Sequence, residues 1–401
     1  MADEVVITGL GVISALGRNT QENLNALLAE RSGIGPITVL RTRHRGSIPV
    51  AEVPFVDDDL GILAAPKSMH GWTRTALLGL TAVREALHQA ALDPATTRTG
   101  LVSATTAGGI DKTEPIYDHY FLPVIPPDSA QYLGTHDPGD HCERIAAELG
   151  FHDLVTTIST ACSSSANALI FGARLIRDGL LDAAVVGGAD ALCKFTVNGF
   201  NSLMILDKEP CRPFDRDRAG LNLGEAGAYL VLESAGFAAR RGARVLAKVS
   251  GFANTNEAFH ATASAPDGAG ALKAMEQALL SAGLLPQDVS YINVHGTGTP
   301  NNDASEGTAL IRLFGDGMPP FSSTKSYTGH TLGAAGAVEA IYSVLAIQHG
   351  VLYANLRFTT PIEEAPLTPV LHTQRSVVLQ HVLSSSFGFG GNNTSLVISA
   401  P

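Results

Sequence analysis

The sequence predicts an α/β fold built from two related halves, and three observations predict it. Of the 401 residues, 45% are hydrophobic and only 16% are charged, a balance that excludes an intrinsically disordered chain. Short apolar, β-branched runs alternate with longer segments of helical periodicity, which is typical of a sheet covered on both faces. A helix–turn–strand pattern at 73–103 recurs at 270–294. We therefore predict an N-terminal half at 1–240 and a C-terminal half at 241–401.

The elements of the first half follow from its apolar periodicity. Strand-like runs are short and β-branched, whereas the helical segment repeats its apolar side chains about every 3.6 residues. The predicted elements are a strand at 5–8 that ends in a turn at Gly9 and Gly11, a helix at 73–92, and strands at 101–103, 154–158, 183–189 and 228–233. A helix of small residues is predicted from Cys162 to about Leu180, and 110–140 is predicted to be a long excursion over a pocket or an interface.

The second half repeats this order. A helix is predicted over 270–284, a turn over 286–288 and a strand over 289–294. A helix of small residues is predicted to follow Lys325 and to continue to about Gly350, as the other follows Cys162.

Cysteine usage and charge exclude several classes of protein. The four cysteines at 142, 162, 193 and 211 form neither a CxxC pair nor a metal-ligand pattern, so we expect a reduced, cytosolic enzyme without a metal. The acidic residues 1–4 lack the basic region of a signal peptide. No apolar run is long and uninterrupted enough for a membrane span. The net charge of −11 argues against nucleic acid as a main partner. We expect a cytoplasmic protein.

Cys162 is the candidate nucleophile. It lies in TISTACSSS, between a predicted strand and a predicted helix. The positive end of a helix macrodipole lowers a thiol pKa by up to about one unit, and the thiolate is the reactive form. The alternative is a small buried core residue, which is the ordinary role of a free cysteine and our interpretation of the other three.

Two histidines follow strand-like runs in the second half. His295 opens the segment HGTGTP, in which Gly296 and Gly298 allow close approach of a ligand and Thr297 and Thr299 supply hydroxyls. A plain turn does not need such a polar cluster.

The second histidine belongs to the segment SSTKSYTGHTLGAAG. It contains Lys325 and His330, and Glu339 follows on the next helix. The alternatives here are solvated surface charges or a buried Lys–Glu pair that fixes a nearby His.

A fourth segment, SSSFGFGGNNTSL at 384–396, carries glycines around Phe387 and Phe389. Its backbone N–H groups could face a substrate oxygen, or it could be a tight turn between two strands. Because ligands of α/β sheets bind beyond the carboxyl ends of strands, the four segments together predict an acyl-transfer site with a thiolate, two imidazoles and backbone oxyanion donors.

In this order and spacing the four segments resemble the elongating β-ketoacyl-[acyl-carrier-protein] synthases of the thiolase-like superfamily. The resemblance extends from VVITGLGVIS at 5–14 to FGFGGNNTSL at 387–396. It implies a five-layered αβαβα fold from two duplicated halves, usually dimeric. It also implies a ping-pong condensation, in which Cys162 carries an acyl chain, malonyl-carrier protein loses CO₂, and the carbanion attacks the thioester.

The resemblance also implies roles for individual residues. His295 and His330 would bind the malonyl thioester carbonyl, and Lys325 would support His330 and pair with Glu339. No metal and no organic cofactor would be needed.

Other roles implied by the resemblance concern the nucleophile and its surroundings. The N–H groups of Cys162 and Phe389 would form an oxyanion hole, and Phe389 would also act as a gate. Asp303, Thr297 and Thr299 would support the site.

Partners and pathway follow from the same resemblance. The expected partners are acyl- and malonyl-loaded acyl carrier protein and a second subunit, either a second copy or a chain-length-factor-like homologue. Since the carrier is acidic in this family, Lys67 and Arg74 are the candidate docking residues.

The pathway is predicted from a mixture of motifs. TACSSS is similar to polyketide ketosynthases, whereas SFGFGG and KSYTGHTLGAAG are similar to discrete fatty-acid enzymes. The small Ala107 could admit a longer or stiffer chain than usual. We predict a specialised polyene or polyketide pathway. Primary fatty-acid elongation, or the catalytic subunit of a ketosynthase/chain-length-factor heterodimer, is the alternative.

Three related classes differ at single positions. A thiolase would usually carry a second catalytic Cys late in the chain, and none follows Cys211. An initiating, type III synthase would show Asn where His330 stands. A non-catalytic chain-length factor lacks the nucleophile that Cys162 supplies.

Overall fold

The computed structural model describes residues 4–401, so residues 1–3 lie outside the described part. Its strands are β1 Val5–Ser14, β2 Thr99–Ala104, β3 Leu154–Ile158, β4 Ala183–Asp190, β5 Ala226–Ser234, β6 Ala247–Asn256, β7 Tyr291–Asn293, β8 Phe321–Ser322, β9 Val351–Leu352, β10 Gln374–Arg375, β11 His381–Gly388 and β12 Asn392–Ser399. Its helices are α1 Thr20–Leu28, α2 Asp57–Ala64, α3 Arg74–Ala90, α4 Ile110–Thr113, α5 Pro127–Ala130, α6 Asp140–Leu149, α7 Ser164–Arg177, α8 Lys194–Ser202, α9 Ala235–Arg240, α10 Ala269–Ala282, α11 Pro300–Phe314, α12 Lys325–Thr328 and α13 Ala335–His349.

The large sheet repeats one strand pattern twice. Its order is β3-β2-β4-β5-β1-β6-β12-β11-β7-β8, and the halves meet where β1 pairs with β6. Outward from this junction, each half has two antiparallel pairings followed by two parallel pairings. This repetition is what two duplicated halves predict. The boundary between 240 and 241 falls between α9 and β6 and stays a prediction.

Five layers can be followed through the molecule. Helix α3 packs on β1, β4 and β5, and α10 packs on β6, β11 and β12. Between the two halves of the sheet lie α7 and α13, which contact each other and strands of both halves. Residues 335–346 of α13 are all buried. Because helices cover both faces, β1, β4 and β5 are buried along their whole length, and the layer order is αβαβα.

Gly9 and Gly11 do not form the predicted turn. Strand β1 continues through both residues to Ser14. A Cβ atom on Gly9 would overlap the carbonyl oxygen of Ala86, and one on Gly11 would overlap that of Ala82. The glycines therefore let α3 lie close against β1, a packing role that sequence alone cannot distinguish from a turn.

The helix predicted from Lys325 to Gly350 is broken. Helix α12 ends at Thr328, Gly329 has a φ of +62° and Leu332 a φ of +53°, and α13 begins only at Ala335. The break places His330 in a connection, where its ring is free to face a cavity. None of the helices within 4–401 is long and apolar enough to cross a membrane.

Candidate active site

Cys162 lies in the connection from β3 to α7, directly before the N-cap Ser163. The preceding Ala161 has a φ of +53°, which turns the chain sharply. Ser164 accepts the Thr160 N–H through Oγ at 2.8 Å and holds this turn. Cys162 is 6% exposed and lines a cavity of about 290 Å³. The structure therefore places the thiol at the helix terminus, as predicted, and opens it to a cavity.

Burial dominates the acidity of the Cys162 thiol. It raises the pKa to about 11, while the Lys325 charge and the N–H groups of Phe389 and of Cys162 itself act in the opposite direction. The expectation that the helix terminus lowers this pKa is therefore wrong, because desolvation exceeds the dipole effect. The two N–H groups converge on the sulfur atom, next to which the carbonyl oxygen of an acyl group bound to Cys162 would lie.

Lys325 makes its direct contacts with His295. Its Nζ donates to the His295 carbonyl oxygen at 2.6 Å and lies 3.1 Å from His295 Nδ1, and it forms an ion pair with Glu339. Since Nδ1 accepts from an ammonium group, the ring proton is on Nε2. Burial and the Lys325 charge hold the pKa of His295 well below its usual range. The imidazole is thus a neutral donor.

His330 is also a neutral donor, but its Nδ1 has a different partner. Its Nδ1 accepts the Leu332 N–H at 3.0 Å, and its buried Nε2 has no partner among residues 4–401. Burial and the Lys325 charge lower the pKa of His330 to about 3. Lys325 therefore acts on His330 only through its charge, as predicted, whereas it forms hydrogen bonds with His295. The two rings lie 5.6 Å apart at 87° and line the cavity of Cys162.

Two buried carboxyl groups hold the His295 loop. Glu306 accepts the N–H groups of His295 and Gly296, both at 2.7 Å, and burial raises its pKa to about 8. Asp303 accepts the N–H of Gly298 at 3.2 Å and the N–H of Phe214 at 2.8 Å. Sequence reasoning missed Glu306, although it stands one helical turn after Asp303 on α11.

Thr297 and Thr299 lie in the same loop. Their hydroxyls are hydrogen-bonded to each other at 2.9 Å, and both residues line the cavity. The structure thus brings the predicted supporting residues to the site. Asp303 binds the backbone of the His295 loop, and the two threonines form part of the cavity wall.

The Phe389 segment is the predicted tight turn and also faces the cavity. It forms the tight turn between β11 and β12, with Gly390 and Gly391 at a φ of +81°. It also lines the cavity, and the Phe389 ring stacks on Phe200 with centroids 5.8 Å apart. Phe200 was not identified from sequence, because nothing in α8 marks it beyond an ordinary aromatic residue.

A second cavity of about 420 Å³ shares Cys162, Phe200 and Phe389 with the first. Its wall is mainly apolar. The remaining lining residues come from four connections and α8 and are Thr106, Ala161, Phe195, Thr196, Gly199, Ser202, Leu203 and Leu332. The sulfur therefore stands between the cavity that contains the two imidazoles and a second, more apolar cavity.

The two predicted docking residues differ in exposure. Lys67 lies on the surface. Arg74 is only 5% exposed, and its guanidinium lies 2.6 Å from Glu225 and 3.0 Å from Asp57. The prediction that Arg74 docks a carrier protein is therefore wrong, because this charge is already neutralised inside the protein.

Two family models together account for most of the chain. The model described as "Beta-ketoacyl synthase, N-terminal domain" matches residues 2–238, and "Beta-ketoacyl synthase, C-terminal domain" matches residues 246–359. The chain belongs to the β-ketoacyl synthase family. It is therefore an enzyme of the condensing, acyltransferase type.

Curated relatives of this β-ketoacyl synthase come from two kinds of pathway. The tetracenomycin polyketide synthase ketoacyl synthase alpha subunit of Streptomyces glaucescens is 35% identical, over 99% of this chain and 97% of that protein. The 3-oxoacyl-[acyl-carrier-protein] synthase 2 of Staphylococcus aureus is 31% identical, over 98% of this chain and 97% of that protein.

Solved structures match the whole length of the chain. The ishigamide ketosynthase/chain length factor has a TM-score of 0.93 at 32% identity and full coverage of both chains. A type II polyketide acyl-carrier protein in complex with its ketosynthase bound to the hexaketide has a TM-score of 0.87 at 28% identity, again with full coverage. The predicted thiolase-like fold class is thereby confirmed.

Proposed function

We propose that this chain catalyses the decarboxylative Claisen condensation of malonyl-acyl carrier protein with an acyl chain bound to Cys162. One observation carries the proposal. The thiol and two neutral imidazoles line a single buried cavity, and each imidazole has its Nδ1 occupied by a donor, so that Nε2–H remains for a ligand. Such a pair of donors suits an enolate oxygen.

The first step loads the acyl chain. The Cys162 sulfur attacks the carrier thioester carbonyl, the new S–C bond forms, and the N–H groups of Cys162 and Phe389 stabilise the oxyanion. The bond to the carrier sulfur then breaks, and the proton of the Cys162 thiol ends on the departing carrier thiol. The apolar cavity of about 420 Å³ would receive the chain.

The second step generates the carbon nucleophile. His295 and His330 donate their Nε2–H groups to the thioester carbonyl oxygen of the malonyl group. As the C–C bond to the carboxylate breaks, CO₂ leaves and the electron pair becomes an enolate on that oxygen. Both donors are fixed beforehand, Nδ1 of His295 by Lys325 and Nδ1 of His330 by the Leu332 N–H. Little reorganisation is then needed when the charge develops.

The third step joins the chains. The enolate carbon attacks the acyl carbonyl on Cys162, and the new C–C bond forms as the C–S bond breaks. The departing Cys162 thiolate takes up one proton from water, and the β-ketoacyl chain leaves on the carrier. The N–H groups of Cys162 and Phe389 would again stabilise the tetrahedral oxyanion.

The pathway we propose is a specialised polyene or polyketide one. The apolar cavity and the buried, small Ala107 near its wall support a long or stiff acyl chain, and the first of the relatives above makes a polyketide. Primary fatty-acid elongation is the alternative, which the Staphylococcus aureus relative favours. A cytoplasmic location remains a prediction.

We also propose that acyl carrier protein and a second subunit are the partners, as in the similar complexes. Support comes from the outer edge of the sheet, where β3 ends the strand order and Val155 is 37% exposed. Tyr117 and Phe121 in the excursion at 110–140 are 60% and 73% exposed. A strand at the sheet edge and exposed aromatic residues are each suited to contact with another chain, either a second copy or a chain-length-factor-like homologue.

Intact-mass analysis after incubation with a panel of acyl carrier proteins tests the nucleophile and the preferred chain together. We expect the mass of one acyl group on the wild type and on Cys142→Ala, a matched buried cysteine outside the cavity. We expect none on Cys162→Ala, which should also abolish condensation. An acyl group on the Cys162→Ala protein would exclude the assignment, and the chain that loads fastest reports the pathway.

A further inference from the structure

We propose that Asp190 is a positioning residue for the condensation, and that it fixes both the proton of His330 and the wall of the acyl cavity. This inference rests on the proposed function and extends it to a residue that touches no substrate. Asp190 ends β4 and is fully buried. It lies outside the four segments in which the chemistry was predicted.

The Asp190 carboxylate collects donors from two separate connections. One oxygen accepts the Gly333 N–H at 2.7 Å, in the connection that carries His330. The carboxylate also accepts the N–H groups of Thr106 at 3.0 Å and Ala107 at 3.1 Å, together with the hydroxyls of Thr105 and Thr106. An ionised carboxylate only accepts, so it can satisfy all of these donors at once.

The link to His330 passes through a strained residue. Leu332 has a φ of +53° and donates its N–H to His330 Nδ1 at 3.0 Å. A non-glycine residue keeps such a conformation only when its neighbours hold it. Asp190 holds the next residue, Gly333, and a Cβ atom on Gly333 would lie 2.8 Å from the carboxylate. Without this anchor Leu332 would relax, and His330 Nδ1 would lose the donor that keeps its proton on Nε2.

The link to the acyl chain passes through Thr106. Thr106 and Leu332 line the apolar cavity together with Cys162. A single carboxylate therefore fixes the relative position of one wall of that cavity and of the imidazole that faces the other substrate. This connection explains why a charged group is buried at a point where it contacts neither substrate.

Asp190→Asn tests the proposal, since an amide puts two N–H donors where only acceptors fit. We expect malonyl-carrier decarboxylation to fall about 10²-fold, as when an oxyanion donor is lost, whereas acylation of Cys162, which is affected only through the cavity wall at Thr106, should fall by less than about tenfold. Selective ¹⁵N-histidine NMR, with His330 assigned by His330→Ala, should show one Nε2–H tautomer in the wild type and a tautomer mixture in the variant. Gly333→Ala disturbs the same contact, because the added Cβ atom would lie too close to the Asp190 carboxylate. This variant keeps Asp190 itself and should show the same tautomer mixture of His330.

Asp215→Asn is the matched control. Asp215 is also fully buried and accepts the N–H groups of Asp217, Thr359 and Thr360 at 2.9, 2.6 and 3.0 Å, but it contacts neither connection. We expect it to lower stability and to leave the His330 tautomer unchanged. A single Nε2–H tautomer in both Asp190→Asn and Gly333→Ala, or equal losses of acylation and decarboxylation in both, would overturn the positioning role.

The NMR measurement needs no substrate, so it is independent of the proposed function. A wild type that cannot decarboxylate malonyl-carrier protein would contradict the proposed function, and the tautomer would still decide the role of Asp190.

Discussion

The two halves of the molecule share one strand pattern but differ in one connection. In the first half five residues, 159–163, lead from β3 to α7, and Cys162 is among them. In the second half the equivalent path from β8 to α13 is longer, and it holds α12 with Lys325 and then His330. The shared scaffold brings both connections to one cavity, and the longer one provides room for a cation and a donor. The longer connection therefore supplies Lys325 and His330, whereas His295 comes from the connection between β7 and α11.

The largest expected effect is that of pH on the alkylation of Cys162. It tests whether this thiol loses its proton independently of the two histidines. Since burial raises the pKa of Cys162 to about 11, its thiolate should increase about tenfold per pH unit, and alkylation about 10³-fold between about pH 7 and pH 10. His330, with a pKa of about 3, should contribute no step in this range. Iodoacetamide labelling followed by intact mass measures the rate, and Cys162→Ala gives the background. A plateau below about pH 9 would instead indicate a thiolate–imidazolium pair.

The next effect concerns Lys325, the buried cation in the connection of the second half. Lys325→Met leaves Glu339 buried without its partner, which destabilises a protein by about 3–5 kcal/mol. Burial already raises the pKa of Glu339, and removal of Lys325 raises it further. The folded state then binds more protons than the unfolded one, so stability should decrease as pH rises above the ordinary glutamate pKa. Urea unfolding across this range measures the effect.

The double variant Lys325→Met/Glu339→Gln is the control for that experiment. It should regain most of the stability and flatten its pH dependence, because no buried charge is left unpaired. Condensation should remain impaired, since His295 Nδ1 has lost its donor. Equal stability of the single and double variants would contradict the buried pair.

Removal of a helper from the second half should separate the two half-reactions. His330→Ala should retain acylation of Cys162 and lose about 10²–10³-fold in condensation, the usual effect of deleting one oxyanion donor. Acylation is read by intact mass and condensation by product formation. His141→Ala, a buried histidine of the first half that contacts Ser103, should lower stability without separating the steps. Unchanged condensation in His330→Ala would remove this residue from the site.

The smallest effect tests whether the first half also receives the carrier protein. Lys67→Glu should raise the KM for acyl carrier protein about two- to fivefold at low salt with kcat unchanged, because an exposed charge acts mainly on encounter. High salt should abolish the difference. Lys273→Glu, an exposed lysine on α10, is the matched control and should have no effect. A change in kcat would assign Lys67 to something other than docking.

Sequence predicted the site residues that stand in contiguous motifs. Cys162, His295 and His330 each follow a strand-like run, and the repeated order of elements brings those strand ends together. Lys325 and Glu339 were also paired correctly. The repeated helix–turn–strand pattern predicted the two halves, because the spacing of apolar residues is similar in both even where the residues themselves differ.

Other features depend on packing that a linear pattern does not encode. Arg74 looked like a surface charge, and only the fold shows its pairing with Glu225. Gly9 reads as a turn residue until α3 is seen against it. Asp190 and Glu306 act on backbone N–H groups, a role that many acidic residues would fit in sequence. The acidity of Cys162 was misjudged because burial is a property of the whole site.

The meeting of α7 and α13 sets the spacing of the reacting groups. A Cβ atom on Gly336 would lie 2.7 Å from that of Ala166, and Ser165 accepts the Ala337 N–H at 2.9 Å. Helix α7 begins just after Cys162, and α13 begins just after the connection that carries His330. Contact between the first turns of the two helices therefore fixes the distance between the sulfur and the imidazole. The reach of the acyl cavity is determined elsewhere, by α8 and the connection at Thr106. Chain preference can therefore be redesigned at α8, whereas a change at the Thr106 connection would also reach His330 through Asp190.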